Sequence, residues 1–229
     1  MILNQKLQSD IIQWDVKTWS KSLDYWENNI DWNAIHNCLE LGGREGGLSL
    51  WLALKGKTVI CSDLKDTKIT AEKLHILHNV SPLISYQDID ATNIPYENFF
   101  DLIVFKSIIG GIGRNNNIEI QKKVFDEIYK ALKPNGKLLF VENLIASPFH
   151  QYARKKFVDW GSSWRYISVE ELNIFLEQFS SYKIKTTGFL SAFGRNERQR
   201  HFLATIDNLF FNKLTFDKWK YVSYVIAQK

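Results

Sequence analysis

The chain has 229 residues, of which 45% are hydrophobic and 24% charged, and its formal net charge is +4. This composition is too apolar for a disordered protein and predicts one domain over residues 1–229. No apolar run reaches the roughly 20 residues that a membrane-spanning helix needs. The small, dispersed positive charge disfavours nucleic acid as a partner. We therefore expect a soluble globular protein whose partner is a small molecule.

The first 15 residues, MILNQKLQSDIIQWD, lack the basic start, apolar middle and small-residue cleavage site of a secretory signal. We therefore expect a cytoplasmic protein. Cys38 and Cys61 lie in apolar, strand-like runs, where a buried, reduced thiol is the ordinary state. Because no cluster of Cys, His and acidic residues has metal-ligand spacing, we expect no metal.

From residue 35 onward, short β-like runs alternate with longer amphipathic ones, which is typical of a parallel sheet covered by helices. The predicted strands are His36–Leu41, Thr58–Ser62, Leu83–Gln87, Asp101–Phe105, Lys137–Asn143, Tyr182–Leu190 and Lys220–Ala227. The predicted helices are Gly46–Leu54, Thr67–Asn79, the run NIEIQKKVFDEIYKAL, Ser168–Phe179 and the run RQRHFLATIDNLFF. Ser168 and Glu171 have the spacing of a capping box.

Three segments lie outside this alternation. Residues 1–34 are rich in Trp and Tyr and are expected to form one or two helices that cover the sheet. Residues 145–167 are basic, aromatic and irregular, and residues 191–217 are also basic. Both of these later segments are expected to cover the carboxyl edge of the sheet on the side of a second substrate.

A glycine-rich turn follows the first predicted strand, in LELGGREGGLSL. A strand, a glycine turn and a helix present backbone N–H groups and the positive helix end to a ligand. Arg44 stands where the second glycine of the dinucleotide motif G-x-G-x-x-G belongs. A nicotinamide-dependent dehydrogenase is therefore disfavoured.

Acidic residues follow the next two predicted strands. Asp63 comes at the end of the second strand, about 20 residues after the first glycine, where a carboxylate can accept both hydroxyls of a ribose. Asp90, in DIDATNIP, follows the third strand, where it could accept from an adenine amino group. Taken alone, Asp90 could also be a solvated loop acid, and the other two motifs in series favour the functional interpretation.

The motifs LELGGREGG, SDL, DIDATNIP, FDLIVFKS and LKPNGKLLFVENL resemble, in order and spacing, those of class I S-adenosylmethionine-dependent methyltransferases. The resemblance is close over residues 36–144. It implies S-adenosylmethionine as cofactor and an α/β, Rossmann-like fold. In that fold a seven-stranded, mostly parallel sheet has helices on both faces and an antiparallel last strand.

The resemblance also implies roles for single residues. It places Glu40 and the glycine turn at the methionine part of the cofactor, Asp63 at the ribose and Asp90 at the adenine, with Phe105 and Lys106 facing the sulfonium. The implied cofactor-binding residues are Glu40, Gly42, Gly43, Arg44, Gly46, Asp63, Leu64, Asp90, Ala91 and Phe105. Arg44 departs from the family pattern, which has glycine there, and could cap the turn or reach the cofactor carboxylate.

Methyl transfer from a sulfonium is an in-line displacement, so the enzyme mainly aligns the acceptor and excludes water. A hydroxyl acceptor gains from a general base, whereas an anionic one does not need it. The candidate bases near the expected edge are Lys106, Glu142, His150 and Asp159, each of which could instead be structural.

The segments expected to cover the acceptor side are rich in arginine, which suits planar contacts with phosphate or carboxylate. The glycines of KSIIGGIGRNNN are expected to let their loop fold over the active site. The predicted substrate-binding residues are Arg114, Arg154, Trp160, Arg165, Arg195 and Arg198. A weaker resemblance to bacterial methyltransferases associated with surface-polysaccharide biosynthesis suggests a sugar or sugar-phosphate acceptor.

We therefore expect methyl transfer to a small, anionic or sugar-related acceptor, on oxygen. A non-catalytic subunit that binds S-adenosylmethionine is an alternative, because Asp63 and Asp90 predict binding and not turnover. An RNA or protein methyltransferase is another, disfavoured because no N/D-P-P-Y motif follows the fourth strand. The sequence leaves the oligomeric state open.

Overall fold

A computed structural model describes residues 4–158 and 163–229. The strands are β1 (Asn37–Leu41), β2 (Thr58–Asp63), β3 (Ile84–Asp88), β4 (Phe100–Lys106), β5 (Leu132–Asn143), β6 (Ser181–Thr187) and β7 (Val222–Gln228). They form one sheet in the order β3-β2-β1-β4-β5-β7-β6, and only β7 runs antiparallel to its neighbours. The predicted fold class, including the antiparallel last strand, is confirmed.

The helices are described in chain order within these residues. They are α1 (Gln5–Ile12), α2 (Val16–Trp19), α3 (Lys21–Asn29), α4 (Gly47–Ala53), α5 (Thr67–Leu77), α6 (Ile109–Ile112), α7 (Ile118–Ala131), α8 (Pro148–Phe157), α9 (Val169–Leu176), α10 (Glu197–Ile206) and α11 (Asn212–Leu214). A wider, π-type turn at Asp207–Phe211 joins the last two. None of the helices in the described residues is long and apolar enough to cross a membrane.

The sheet separates two hydrophobic clusters, because successive residues of a strand point to opposite faces. In β4, Leu102 and Val104 lie in the cluster that contains α3 and α4 side chains, whereas Ile103 and Phe105 lie in the cluster with α7 and α9. Alternate residues of FDLIVF therefore pack in the hydrophobic clusters on the two faces of the sheet. Trp26 of α3 reaches across to β7, where its indole N–H donates to the Val225 carbonyl at 3.1 Å.

Several local predictions hold and one is wrong. Ser168 and Glu171 make the predicted capping box at the start of α9. The stretch 145–167 is not irregular throughout, since α8 occupies its middle. Pro148 opens this helix with a preset φ, and the basic residues Arg154 to Lys156 fall in its last turn, where they oppose the negative helix end. The Lys and Arg cluster had masked this helix signal.

Candidate active site

The sheet creates a crevice where β1 and β4 lie side by side. Their connections leave toward opposite edges, β1 toward β2 and β4 toward β5, so the loops after these two strands separate. Open α/β sheets bind ligands at the carboxyl ends of strands at such a switch point. The glycine turn follows β1 here, and Lys106 ends β4.

The glycine turn has a backbone that depends on its glycines. Gly42 and Gly46 have φ of +61° and +73°, which is the left-handed region that favours glycine. A Cβ on Gly42 would collide with the Ile108 side chain after β4. The Gly46 carbonyl accepts from His75 Nε2 of α5 at 2.9 Å. The turn is therefore held closely against the loop after β4 and against α5.

Glu40 has a structural partner set. Its buried carboxylate accepts from Leu48 N–H at 3.1 Å and Ser49 N–H at 2.7 Å, in the first turn of α4. Burial raises the pKa of this carboxyl, and the Ser49 contacts and the nearby Lys106 charge oppose that rise. The side chain predicted at the methionine part thus fixes the helix start beneath the turn, and through it the turn itself.

Asp63 and Arg44 are joined through the turn backbone. Asp63 Oδ2 accepts from Arg44 N–H at 2.9 Å, and Asp63 Oδ1 accepts from Leu64 N–H at 2.7 Å. The first bond holds Arg44 at a φ of +50°, the left-handed conformation that a glycine would adopt without strain. Arg44 therefore adopts, with the help of Asp63, the backbone conformation that a glycine would adopt at this position.

The residues predicted to contact the adenosine part of the cofactor lie at the ends of β2 and β3. Leu64 directly follows Asp63 and is 65% exposed, which leaves an apolar face beside the carboxylate. Asp90 lies in an exposed turn where its Oδ1 accepts from the Thr92 N–H and hydroxyl, and Ala91 next to it is partly buried. The donor and acceptor types present here suit ribose hydroxyls and an amino-substituted ring.

Phe105 does not lie at this surface. Its side chain is buried and stacks on Phe140 with ring centroids 4.7 Å apart, in the cluster under α7. The expectation that it faces the sulfonium therefore conflicts with the strand's alternation, which turns Lys106 to the edge instead. The physical reason is the pleat, which gives adjacent residues of one strand opposite faces.

A cavity of about 600 Å³ opens at the carboxyl ends of β4 and β5. The N-terminal segment and both later segments, residues 145–167 and 191–217, contribute to its lining. Its described lining residues are Trp14, Asp15, Arg44, Lys106, Ser107, Asn143, Arg154, Val158, Trp164, Tyr166, Ala192, Arg200 and Tyr221. Among them are four cationic side chains, four aromatic rings and one carboxylate.

Lys106 is partly enclosed at the cavity wall. Its Nζ donates to the Ile12 carbonyl at 3.0 Å and lies 5.4 Å from the Trp14 ring. Burial lowers the pKa of Lys106 to about 8, while the Glu40 charge opposes the change. At neutral pH the side chain therefore remains mostly a cation, and it offers positive charge rather than a free amine.

Two of the other three predicted bases are not among the described lining residues of the cavity. Glu142 is buried and accepts from Ile109 N–H at 2.8 Å and Asn143 N–H at 2.9 Å, and burial raises its pKa to about 7. His150 is buried between the Ser147 hydroxyl and the Phe189 carbonyl, and burial lowers its pKa to about 4. Both side chains hold neighbouring backbone in place. Neither of them is among the described residues that line the cavity.

The predicted arginines divide into one that lines the cavity and others that do not. Arg154 lines it, donating to the Leu144 and Ile145 carbonyls and lying 3.9 Å from the Tyr166 ring centre. Arg165 instead pairs with Glu171 at 2.5 Å and with Gln121. Arg198 lines a separate concavity beside α1 and α3, whereas Arg114 and Arg195 are exposed outside the lining described above. Trp160 and Asp159 lie outside the described residues.

The glycines after β4 allow close packing against a residue of the cavity wall. A Cβ on Gly110 would collide with the indole of Trp164, and one on Gly111 would lie 3.0 Å from the same ring. Trp164 thus packs directly on α6 and presents its other side to the cavity. The close helix-to-ring contact requires these two glycines.

Sequence reasoning missed the N-terminal and C-terminal contributions to the cavity. Trp14, Asp15 and Tyr221 line the cavity, although they are far from every recognised motif. Arg200 also lines it, whereas the predicted Arg195 and Arg198 do not. One structural signal is shared by several lining residues: Asp15, Arg44 and Ser107 have φ of +47°, +50° and +55°. Strained backbone of this kind clusters at functional sites.

The sheet order, the switch-point crevice and the glycine turn with its acidic neighbours agree with the fold that the resemblance to class I S-adenosylmethionine-dependent methyltransferases implies. Residues 39–140, less than half of the chain, match a family model described as a methyltransferase domain. The matched residues include the glycine turn after β1 and the acids at the ends of β2 and β3.

A curated relative and solved structures extend this comparison. The chain is 34% identical over 128 residues to the ubiquinone/menaquinone biosynthesis C-methyltransferase UbiE of Pseudoalteromonas translucida, covering 53% of this chain and 47% of that protein. Haemonchus contortus phosphoethanolamine N-methyltransferase 2, in complex with S-adenosyl-L-methionine, aligns with a TM-score of 0.64 at 18% identity over 92% of this chain and 52% of that one. A putative methyltransferase from Bacillus halodurans aligns with a TM-score of 0.60 at 17% identity, over 92% and 97%.

These likenesses differ in what they establish. At 17–18% identity, the structures show a shared fold. The chain spans about half the length of the curated relative and of the Haemonchus enzyme.

Proposed function

We propose that the protein transfers the methyl group of S-adenosylmethionine to a hydroxyl oxygen of a small, anionic acceptor. The observation that supports this most is the cavity at the ends of β4 and β5, whose volume of about 600 Å³ falls within the range of roughly 300–1,000 Å³ of small-molecule sites. It adjoins the glycine turn through Arg44 and Lys106, so an acceptor there would lie next to the cofactor.

The cofactor is expected to occupy the ends of β1, β2 and β3. The turn from Gly42 to Gly46 would hold its methionine part, Asp63 its ribose and Asp90 its adenine beside Leu64. When bound, S-adenosylmethionine supplies an electrophilic methyl group. The protein's own contribution is to hold the acceptor in line with that methyl and to exclude water.

The charge of the cavity favours an anion. Arg44, Lys106, Arg154 and Arg200 line it, against the single carboxylate of Asp15 among the described lining residues. Arginine makes directional contacts with carboxylate and phosphate, and charges are less screened in an enclosed site. Trp14, Trp164, Tyr166 and Tyr221 supply flat apolar walls, which suit a ring.

The ring could belong to a sugar or to an aromatic acid. A sugar acid or sugar phosphate would agree with the likeness to polysaccharide-associated methyltransferases. Methylation on carbon is a second candidate, because the curated relative is named as a C-methyltransferase. The match to that relative covers about half of this chain.

The test supplies the protein with methyl-labelled S-adenosylmethionine and the small-molecule fraction of a bacterial cell extract. We expect a labelled product that binds an anion exchanger at neutral pH and releases methyl iodide in hydriodic acid, as O-methyl groups do. A product that keeps its methyl in acid would refute methylation on oxygen, and a product in the unbound fraction would refute an anionic acceptor. No product despite binding of S-adenosylhomocysteine would favour the non-catalytic alternative.

A pair of arginine variants tests the site itself. Arg44→Ala should raise the KM for the labelled acceptor about tenfold, because it removes one cation from the cavity wall. Arg198→Ala is the matched control, since that arginine is exposed and lines a different concavity. Equal effects of the two variants would argue against the assigned cavity.

A further inference from the structure

We propose that Asp15 binds the acceptor hydroxyl and takes up its proton during methyl transfer. This inference rests on the proposed function and assigns a residue to it that lies outside all the sequence motifs. Asp15 is 3% exposed and lines the same cavity as the cationic side chains of Lys106 and Arg154.

The backbone around Asp15 is held in an unusual conformation. Its φ is +47°, and its N–H donates to Glu197 Oε1 at 2.7 Å, while the next N–H, of Val16, donates to Glu197 Oε2 at 3.2 Å. A carboxylate from α10 therefore caps the start of α2 and holds Asp15 in place. This arrangement maintains a strained residue at the cavity wall, where strain is commonly associated with function.

The two carboxylate oxygens of Asp15 differ. Oδ2 accepts from the hydroxyl of Tyr221, which in turn lies 3.0 Å from the Ser191 hydroxyl. Ser191 donates to Asp207 at 2.7 Å, and Asp207 also accepts from three backbone N–H groups. Oδ1 is buried and has no hydrogen-bond partner in the described residues.

An acceptor hydroxyl would satisfy Oδ1. A buried carboxylate oxygen without a donor is costly, and a donor brought by a ligand removes that cost. The Tyr221 bond fixes the orientation of the carboxyl group, as the third member of a catalytic triad orients the base. The fully connected chain from Tyr221 through Ser191 to Asp207 makes that orientation rigid.

The proton affinity of Asp15 suits this role. Burial raises the pKa of Asp15 to about 6, and the negative charge of Glu197 acts in the same direction. The hydroxyls of Tyr221 and Thr18 and the positive charge of Arg200 oppose this rise. The other titratable groups nearby are His150, whose ring stacks on Tyr221, and Lys106 in the same cavity. At pH 7 Asp15 is therefore mainly ionised, yet more basic than an exposed aspartate.

The proposed step balances without any further reactant. The acceptor oxygen forms a bond to the methyl carbon as the carbon–sulfur bond breaks, and the electrons of that bond stay on sulfur and cancel its positive charge. The hydroxyl proton moves to Asp15 Oδ1 and later leaves to solvent. One positive and one negative charge disappear together, which is favourable in an enclosed site.

The test compares variants in the labelled-extract assay and in calorimetry with S-adenosylhomocysteine. Asp15→Asn should lower kcat/KM by about 100-fold or more, the usual effect of losing a general base, with cofactor affinity unchanged within twofold. Asp15→Glu should restore part of the rate. Asp126→Asn, an exposed acid on α7 that bonds to Gln178, is the matched control.

The pH profile separates catalysis from a structural role. The wild-type kcat/KM should rise with pH up to about 6, and Asp15→Asn should lose this rise. Tyr221→Phe should move the midpoint to higher pH, because it removes a donor to the carboxylate. A wild-type rise that persists in Asp15→Asn would assign it to another acid, such as Glu142, and overturn the inference.

The failures of the two proposals are distinguishable. Absence of labelled product with the wild-type protein, while S-adenosylhomocysteine still binds, would overturn the proposed function and the inference with it. Product formation at equal rates by wild type and Asp15→Asn would overturn the inference alone. Denaturation of the ligand-free proteins gives a second readout. Because the buried Asp15 carboxyl is charged at pH 7.5 and largely protonated at pH 4.5, the wild type should lose stability relative to Asp15→Asn when the pH is raised from 4.5 to 7.5.

Discussion

Asp15→Asn should change how the stability of the protein depends on pH. Folding raises the pKa of the Asp15 carboxyl from its ordinary 3.8 to about 6, because burial disfavours its charge. The folded state therefore binds this proton more tightly than the unfolded chain. The Asp15 carboxyl therefore contributes most to the free energy of unfolding below pH 4. This contribution falls as the pH rises from 4 to 6 and stays low above pH 6.

The magnitude follows from the two pKa values. Their difference, at 1.36 kcal/mol for each pH unit, amounts to about 3 kcal/mol over the whole range. About 2 kcal/mol of this falls between pH 4.5 and 7.5. When the pH is raised from 4.5 to 7.5, the free energy of unfolding of Asp15→Asn should therefore rise by that amount relative to wild type. Any destabilisation by the Asn amide itself is the same at both pH values and does not affect this difference.

Urea denaturation followed by tryptophan fluorescence at the two pH values measures this difference. Asp101→Asn is the control with the opposite sign. The pKa of Asp101 is lowered because the N–H groups of His36 and Asn37 and the Lys133 ammonium overcome its partial burial, so this variant should lose stability relative to wild type at higher pH. An Asp15→Asn protein that also loses stability between pH 4.5 and 7.5 would refute the reasoning and indicate a well-compensated structural carboxylate.

Two further predictions concern the cofactor half of the domain. Asp63→Ala should weaken binding of S-adenosylhomocysteine by about 1.5–3 kcal/mol in calorimetry, because it removes charged hydrogen bonds to the ribose, and unchanged affinity would show that the ligand lies elsewhere. Gly42→Ala should lower the same affinity about tenfold or more, since its Cβ would collide with Ile108, whereas Gly56→Ala has a similar φ of +75° but open space around it and should keep the affinity. A similar loss in both variants would attribute the effect to backbone strain alone.

The half of the domain that is proposed to bind the cofactor carries local signals in the sequence. The turn from Gly42 to Gly46 and the acids Asp63 and Asp90 each follow a strand within a few residues, and parallel strands bring their carboxyl ends to one edge. The strands themselves were found to within a few residues, with β5 extended at its start to Leu132. Pattern and topology were enough for this part.

The acceptor side was less predictable because its contacts join distant parts of the chain. Nothing local in QWDVK marks Asp15, whose partners Tyr221 and Glu197 lie about two hundred residues away. Arginine content pointed to the right segments, but only the helical phase of α10 decides that Arg200 faces the cavity and Arg198 does not. Likewise, a capping-box glutamate binds Arg165 and removes it from the site.

The placement of β7 also has a consequence for the order in which the protein can be assembled. β7 lies between β5 and β6 and is made after both, so β6 has no neighbour in the sheet until β7 has been synthesised. Tyr221, at its start, completes the hydrogen-bonded wall that includes Asp15 near the other end of the chain. Strands β1 to β5, which carry the proposed cofactor-binding residues, can pair during synthesis, whereas the cavity is complete only after Tyr221 has been made and β7 has paired. A nascent chain that ends before Tyr221 would therefore carry the proposed cofactor surface without a complete acceptor cavity.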